Sequence, residues 1–122
     1  MAMAITQQLE MKAARDTVEE ARRYFGLKYV ELASALGVTP RSLLRYRNLA
    51  SVPSRPVQAR LEKVRQISHL LGEVFQDEDS ELGWLYSPVS MLRGRRPIDL
   101  IRSGELDPVL GILAGLYSGA TS

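Results

Sequence analysis

Residues 29–48, YVELASALGVTPRSLLRYRN, decide the fold, because they spell two short helices joined by a tight turn. Tyr29, Ala33 and Leu36 recur at helical spacing, and small Ala33 stands four residues before Gly37, so two helices can approach closely there. Gly37 ends the first helix. Thr39 can accept from the free amides of the following turn, and Pro40 fits the first helical position, where its missing donor costs nothing. The second helix therefore starts at Thr39. Leu43 and Tyr46 form its apolar side, and Arg41, Ser42 and Arg45 lie on the other, with Arg47 and Asn48 at its end. A helix presented by a tight turn, with cations and a short hydroxyl near its start, fits the second helix of a helix-turn-helix entering a DNA groove. The same spacing also occurs in purely structural helical pairs; the arginines favour DNA. On that basis Arg41, Ser42 and Arg45 are expected at bases, and Arg47, Arg55 and Arg60 at phosphates.

The composition narrows the options. A chain of 122 residues that is 45% hydrophobic and 7% aromatic can bury one modest core, or two small packed helical units. Cysteine is absent, which excludes disulfides and thiolate metal sites, and a single histidine, His69, is too few for a histidine zinc site. No metal or cofactor is expected. There is no long apolar run and no basic-then-apolar leader, so a soluble cytoplasmic protein with no membrane partner is expected. The net charge of +2 hides a division. Residues 1–75 carry 12 basic against 7 acidic residues, and residues 76–122 carry 4 against 7. Between Val38 and Arg65 stand seven basic residues and one acid, which suits a phosphate-facing surface. The acid-leaning remainder would be repelled by DNA and suits a different partner. Asp77, Glu78, Asp79 and Glu81 cluster in a polar break with no base, nucleophile or metal-ligand partner near them in sequence, so no enzymatic activity is expected.

In chain order, Met1–Ile5 is expected as a loose start, and Thr6 as the cap of a helix to about Tyr24 with Leu9, Ala13, Ala14, Val18, Ala21 and Phe25 on its apolar face. Gly26 closes it. After the helix-turn-helix, residues 50–56 read as a loop bracketed by Pro53 and Pro56. From Val57 to about Phe75 the pattern is helical, with Leu61, Val64, Ser68, Leu71 and Phe75 on one side and Ile67, Leu70 and Val74 widening it. So broad an apolar surface calls for cover on more than one flank, by the C-terminal part or by a second subunit in a homodimer. Gln76–Ser80 is the expected break between a DNA-binding region, 1–75, and a second helical domain, 76–122. Short helices follow: Glu81–Tyr86, one from Ser87-Pro88 to Gly94, one opened by Pro97 and ended by Gly104, and one started by Asp107-Pro108. Gly111 and Gly115 clear one stripe of the last helix for a close contact, within the core or between molecules. The fold class is all-α.

Trp84-Leu85 to Pro88, Leu92 to Gly94, Arg96-Pro97, Asp99-Leu100-Ile101, Gly104 and the segment Val109 to Gly119 together resemble the toxin-binding domain of the Xre/MbcA/ParS antitoxins. The preceding helix-turn-helix is similar to the Xre-like DNA-binding half of that family, so the resemblance spans roughly residues 25–119. It implies an antitoxin of a type II toxin-antitoxin system, dimeric and part of a higher assembly, that binds operator DNA to repress its own transcription. It also implies a RES-domain toxin partner that acts on NAD and is inhibited by occlusion of its active site. On this resemblance the toxin contacts fall around Arg95, Arg96 and the terminal helix, with Leu113, Leu116 and Tyr117 offering apolar area. The alternative is a freestanding helix-turn-helix regulator whose C-terminal part dimerises or senses a ligand.

Overall fold

The computed structural model describes residues 4–119, and helices carry about three quarters of that length. Among the described residues seven α-helices follow one another: α1 (Ile5–Phe25), α2 (Tyr29–Leu36), α3 (Pro40–Arg47), α4 (Arg55–Val74), α5 (Glu78–Leu85), α6 (Pro97–Arg102) and α7 (Leu106–Ser118), with a 3-10 turn at Ser90–Leu92. The fold is all-α. Among the described residues the only β-type pairing is an isolated bridge between Val89 and Arg95, and no helix is long and apolar enough to cross a membrane.

The local signals around the helix-turn-helix act as expected. Gly37 adopts φ +71, a left-handed conformation that costs other residues strain, and its amide bonds back to the end of α2. Thr39 Oγ1 accepts from the Ser42 amide at 3.1 Å and starts α3. Leu32, Ala33, Ala35 and Leu36 of α2 and Leu43 and Tyr46 of α3 are buried, and both helices pack on α1.

One hydrophobic cluster runs from Ala14 to Leu113, so the core crosses residue 75 without a gap. The longest seam joins α4 to α7, where Ile67, Leu71, Val109 and Leu113 have no exposed surface. Each such side chain contributes about 1.5–3 kcal/mol of burial. The broad apolar face of α4 is thus covered chiefly within the chain, and of the four residues Ile67, Leu70, Leu71 and Val74 only Leu70 and Val74 keep partial exposure.

Several boundaries differ from expectation, each for a local reason. Helix α1 begins at Ile5, so Thr6 lies inside it, and Ala4 holds the cap position without a side-chain bond; residues 1–3 lie outside the described residues. Leu9 and Ala13 face solvent because the buried stripe of α1 runs through Met11, Ala14, Thr17, Val18, Ala21 and Phe25. Thr17 can be buried because its hydroxyl accepts from Arg65 Nε at 2.6 Å. Arg55 and Pro56 belong to the first turn of α4, since proline is tolerated where no intrahelical donor is needed. The acidic stretch is itself helical from Glu78, with Asp77 accepting from the Ser80 amide at 2.8 Å and acids filling the positive first turn. Pro88 does not open an α-helix; Val89 pairs with Arg95, and a single 3-10 turn fits between them. Helix α7 starts at Leu106, ahead of Asp107-Pro108. A Cβ at Gly111 or Gly115 would meet nothing within 4 Å, so these glycines make no close packing inside the chain.

Candidate functional site

Two separate faces carry exposed groups that the core does not use. The first is the outward side of α3. With Leu43 and Tyr46 turned inward, the 3.6-residue period points Arg41, Leu44, Arg45 and Asn48 out together, and all four are exposed. Arg41 has no side-chain partner among the described residues. Arg45 folds back so that Nη2 donates to Ala50 O at 3.3 Å. Ser42, expected at bases, is half-buried and occupied by the cap, with its amide on Thr39 Oγ1 and its own Oγ receiving the Thr39 hydroxyl at 3.1 Å.

The expected phosphate contacts divide. Arg47 Nε lies 3.4 Å from Glu19 Oε1, and its guanidinium sits 5.6 Å from the Tyr29 ring, with Arg22 at 4.3 Å from the same ring. Tyr29 donates its hydroxyl to Glu19 at 3.1 Å, so this group fastens α2 and α3 to α1. Arg60 is half-buried and donates Nη1 to Ala35 O at 3.2 Å, neutralising the negative end of α2. Arg55, at the exposed start of α4, has no side-chain partner among the described residues.

The second face lies in the C-terminal half. Arg96 forms a two-pronged pair with Asp99, Nε to Oδ2 at 2.8 Å and Nη2 to Oδ1 at 2.9 Å. These hydrogen bonds hold the Asp99 carboxyl below the usual carboxylate range and raise the Arg96 guanidinium above its own. Arg95 donates Nε to Leu92 O at 3.2 Å and reaches Glu105 at 3.5 Å. Neither cation is idle, yet both pairs are solvent-facing, where ion pairs contribute little, so a better acceptor on a partner could exchange with them. Leu113 is not at the surface: it is wholly buried under α4, where its side chain completes the core. Leu116 is half-buried, and Tyr117 is 56% exposed.

Between α4 and α7 opens a groove of about 540 Å³ lined by Glu62, Arg65, Gln66, His69, Leu70, Leu110 and Ala114. Its floor is apolar and its rim polar, with His69 Nε2 4.0 Å from Glu73 Oε1. Gly111 is exposed beside it on α7.

The two faces are tied through the fold. Arg102 of α6 places Nε 3.0 Å from Glu31 Oε2 of α2, an ion pair without hydrogen-bond alignment, and Nη1 3.4 Å from Asp99. Tyr86, after α5, donates to Phe25 O at 2.8 Å and lies 5.9 Å from both Arg96 and Arg102. Tyr24 of α1 donates to Glu81 Oε2 at 2.8 Å; burial and this carboxylate raise the phenol well above its ordinary pKa, so it stays a donor.

Residues 70–119 match the family described as the antitoxin Xre/MbcA/ParS C-terminal toxin-binding domain. The mycobacterial cidal antitoxin MbcA of Mycobacterium tuberculosis is 32% identical over 103 residues, covering 84% of this chain and 90% of the relative. The MbcA of Mycobacterium bovis gives the same values of 32%, 84% and 90%. The chain belongs to the Xre/MbcA/ParS antitoxin family. A chain in the crystal structure of the M. tuberculosis MbcT-MbcA toxin-antitoxin complex superposes with a TM-score of 0.58 at 32% identity, covering 86% of this antitoxin and 94% of that chain.

In this antitoxin the matched segment begins at the last turn of α4 and takes in α5, the 3-10 turn, α6 and all of α7. It therefore contains Arg95, Arg96, Leu116, Tyr117 and one wall of the α4–α7 groove. Leu110 and Ala114 on that wall escaped the sequence argument because a leucine and an alanine on an apolar helix read as core. On α3 the sequence argument named Asn48 but not Leu44 on the outward face; the spacing of three from Arg41 and four to Asn48 was a signal that could have found it.

Proposed function

We propose that this antitoxin neutralises a partner toxin through its C-terminal half and binds operator DNA through α3, repressing its own transcription. The toxin is a RES-domain protein acting on NAD, and the antitoxin covers its active site without a cofactor, metal or catalysis of its own, in the cytoplasm. The observation that carries this proposal is the match of residues 70–119 to a toxin-binding domain, on a chain whose basic surface lies elsewhere.

The groove and the end of α7 suit the toxin contact physically. Leu70, Leu110 and Ala114 offer apolar area that a partner side chain can fill, Gly111 lets a partner backbone approach, and Tyr117 and the nearby arginines are residue types that anchor interfaces. The α3 face suits DNA because Arg41 and Arg45 stand four apart, within reach of successive bases. Homodimers and a larger toxin-antitoxin assembly follow if operators are two-fold.

Because one core spans both halves, the test uses full-length variants. A114E/Y117A places a charge on the groove wall and removes the aromatic anchor; R41A/R45A strips α3. Each is co-expressed with the RES-domain toxin encoded beside it, and pull-down, NAD loss and operator affinity are measured. The groove variant should lose the toxin and let NAD fall while keeping the operator. The α3 variant should protect NAD fully but lose about 1–3 kcal/mol of operator binding per arginine. The reverse pattern from either variant sinks the division of roles.

A further inference from the structure

We propose that Leu44 reads the C5-methyl group of a pyrimidine in the major groove, so that the operator carries a required thymine beside the base pairs faced by Arg41 and Arg45. This rests on the assignment of α3 as the DNA-reading helix and adds a residue and a chemical group to it.

Position is the first argument. Leu44 lies three residues after Arg41 and next to Arg45, within the exposed stripe completed by Asn48. It is 41% exposed, whereas adjacent Leu43 has no exposed surface. A lone exposed leucine means little on an arbitrary surface. Here it occupies the centre of the one face of α3 turned away from the core.

The second argument is what the neighbours are doing. Ser42 is held by the Thr39 cap, Arg47 by Glu19 and Tyr29, and Arg45 leans toward Ala50 O. Arg41, Leu44 and Asn48 are free to meet base edges, and Arg45 joins them by giving up its long, exposed bond to Ala50 O. The cations and the amide can pair with acceptors and donors, and an isobutyl group cannot. In the major groove the only apolar feature of an unmodified base pair is the thymine methyl. A leucine set against anything else would desolvate a base donor or acceptor without replacing its hydrogen bond, which is unfavourable. The side chain therefore selects for thymine and against cytosine at its position. 5-Methylcytosine presents the same methyl and would be accepted more readily than cytosine.

The test is fluorescence anisotropy with the full chain and its promoter duplex at one fixed salt concentration. Each thymine is replaced in turn by deoxyuridine, which removes only the methyl. At one position per half-site the wild-type protein should lose affinity roughly fourfold, the value of burying one such carbon. L44A should bind the unmodified duplex more weakly and be indifferent to deoxyuridine there, and R41A should keep the sensitivity. With cytosine at that position, methylation at C5 should recover part of the loss for the wild type and none for L44A. If deoxyuridine is tolerated at every position while the operator is still bound specifically, or if L44A keeps the wild-type sensitivity, the methyl contact is wrong and α3 remains the reading helix. If the chain binds no duplex above random sequence, the DNA assignment fails and the methyl contact with it.

Discussion

Three glycines show how much the surroundings of one residue decide. Gly104, at φ +81 between α6 and α7, would place a Cβ 3.2 Å from Arg60 Nη1 and 3.3 Å from Ala35 O. Both left-handed strain and a backbone clash oppose a side chain there, at the point where α2, α4 and the C-terminal half meet. G104A should lose about 1–3 kcal/mol in urea denaturation. Gly111 is helical with open space around it, so G111A should gain up to about 1 kcal/mol in the same measurement. If the bare backbone at Gly111 serves a partner, that gain should accompany weaker toxin binding; unchanged toxin binding in stable G111A would show that the partner does not approach there. The sequence displayed these glycines and their spacing but not where they face. Gly111 and Gly115 were legible as a stripe, and whether the stripe looked inward depended on how α7 rolls on α4, which Val109 and Leu113 decide by being buried. Leu113 was misplaced at the partner surface for the same reason.

At the scale of elements, cap signals were legible unevenly. Thr39-Pro40 and Gly37 located α2 and α3 correctly because their bonds are local. Thr6 and Asp107 looked equally good and cap nothing, since α1 and α7 begin earlier, with Ala4 and Glu105 before them. Asp77 was read as part of a break, although an acid followed by three helix-compatible residues is itself a start signal. Its bonds from Ser80 hold the Asp77 carboxyl below the usual carboxylate range, as Arg96 does for Asp99. The sign follows: a carboxylate whose folded pKa is depressed stabilises the fold above its unfolded value, and that stabilisation is lost as pH falls through the folded value. Stability should therefore decline as pH falls below about 4, where unfolded aspartate begins to bind protons. D77N/D99N should show a shallower decline in thermal unfolding, since asparagine keeps the α5 cap and titrates nothing. An acid limb as steep as the wild type's would assign the acid sensitivity to other carboxylates.

For the whole molecule, if α3 reads an operator as proposed, the number of copies that meet it follows from geometry. Each chain has a single α3, and half-sites read by related helices lie about 34–36 Å apart. Helix α4, with 20 residues, is only about 30 Å long, so one protomer cannot present two reading helices at that spacing. Two copies are needed if the operator is two-fold, but the face that joins them is not the α4 seam, where Ile67 and Leu71 are already spent on α7 and the core. Salt dependence can count the copies without knowing the contact. Arg55 is exposed at the start of α4 and has no side-chain partner among the described residues, and a phosphate contact there releases counterions, steepening the fall of log affinity with log salt by about 0.9 per contact. Because a two-fold complex uses the residue twice, R55A should reduce the slope by about 1.8 per operator complex, against about 0.9 for a single bound chain. Light scattering of the complex over a concentration series should agree, with two chains per duplex. A slope change near 0.9 together with one chain per duplex would make this antitoxin a monomeric DNA binder; no change in slope at all would remove Arg55 from the phosphate surface and leave the mass measurement to decide the number of copies.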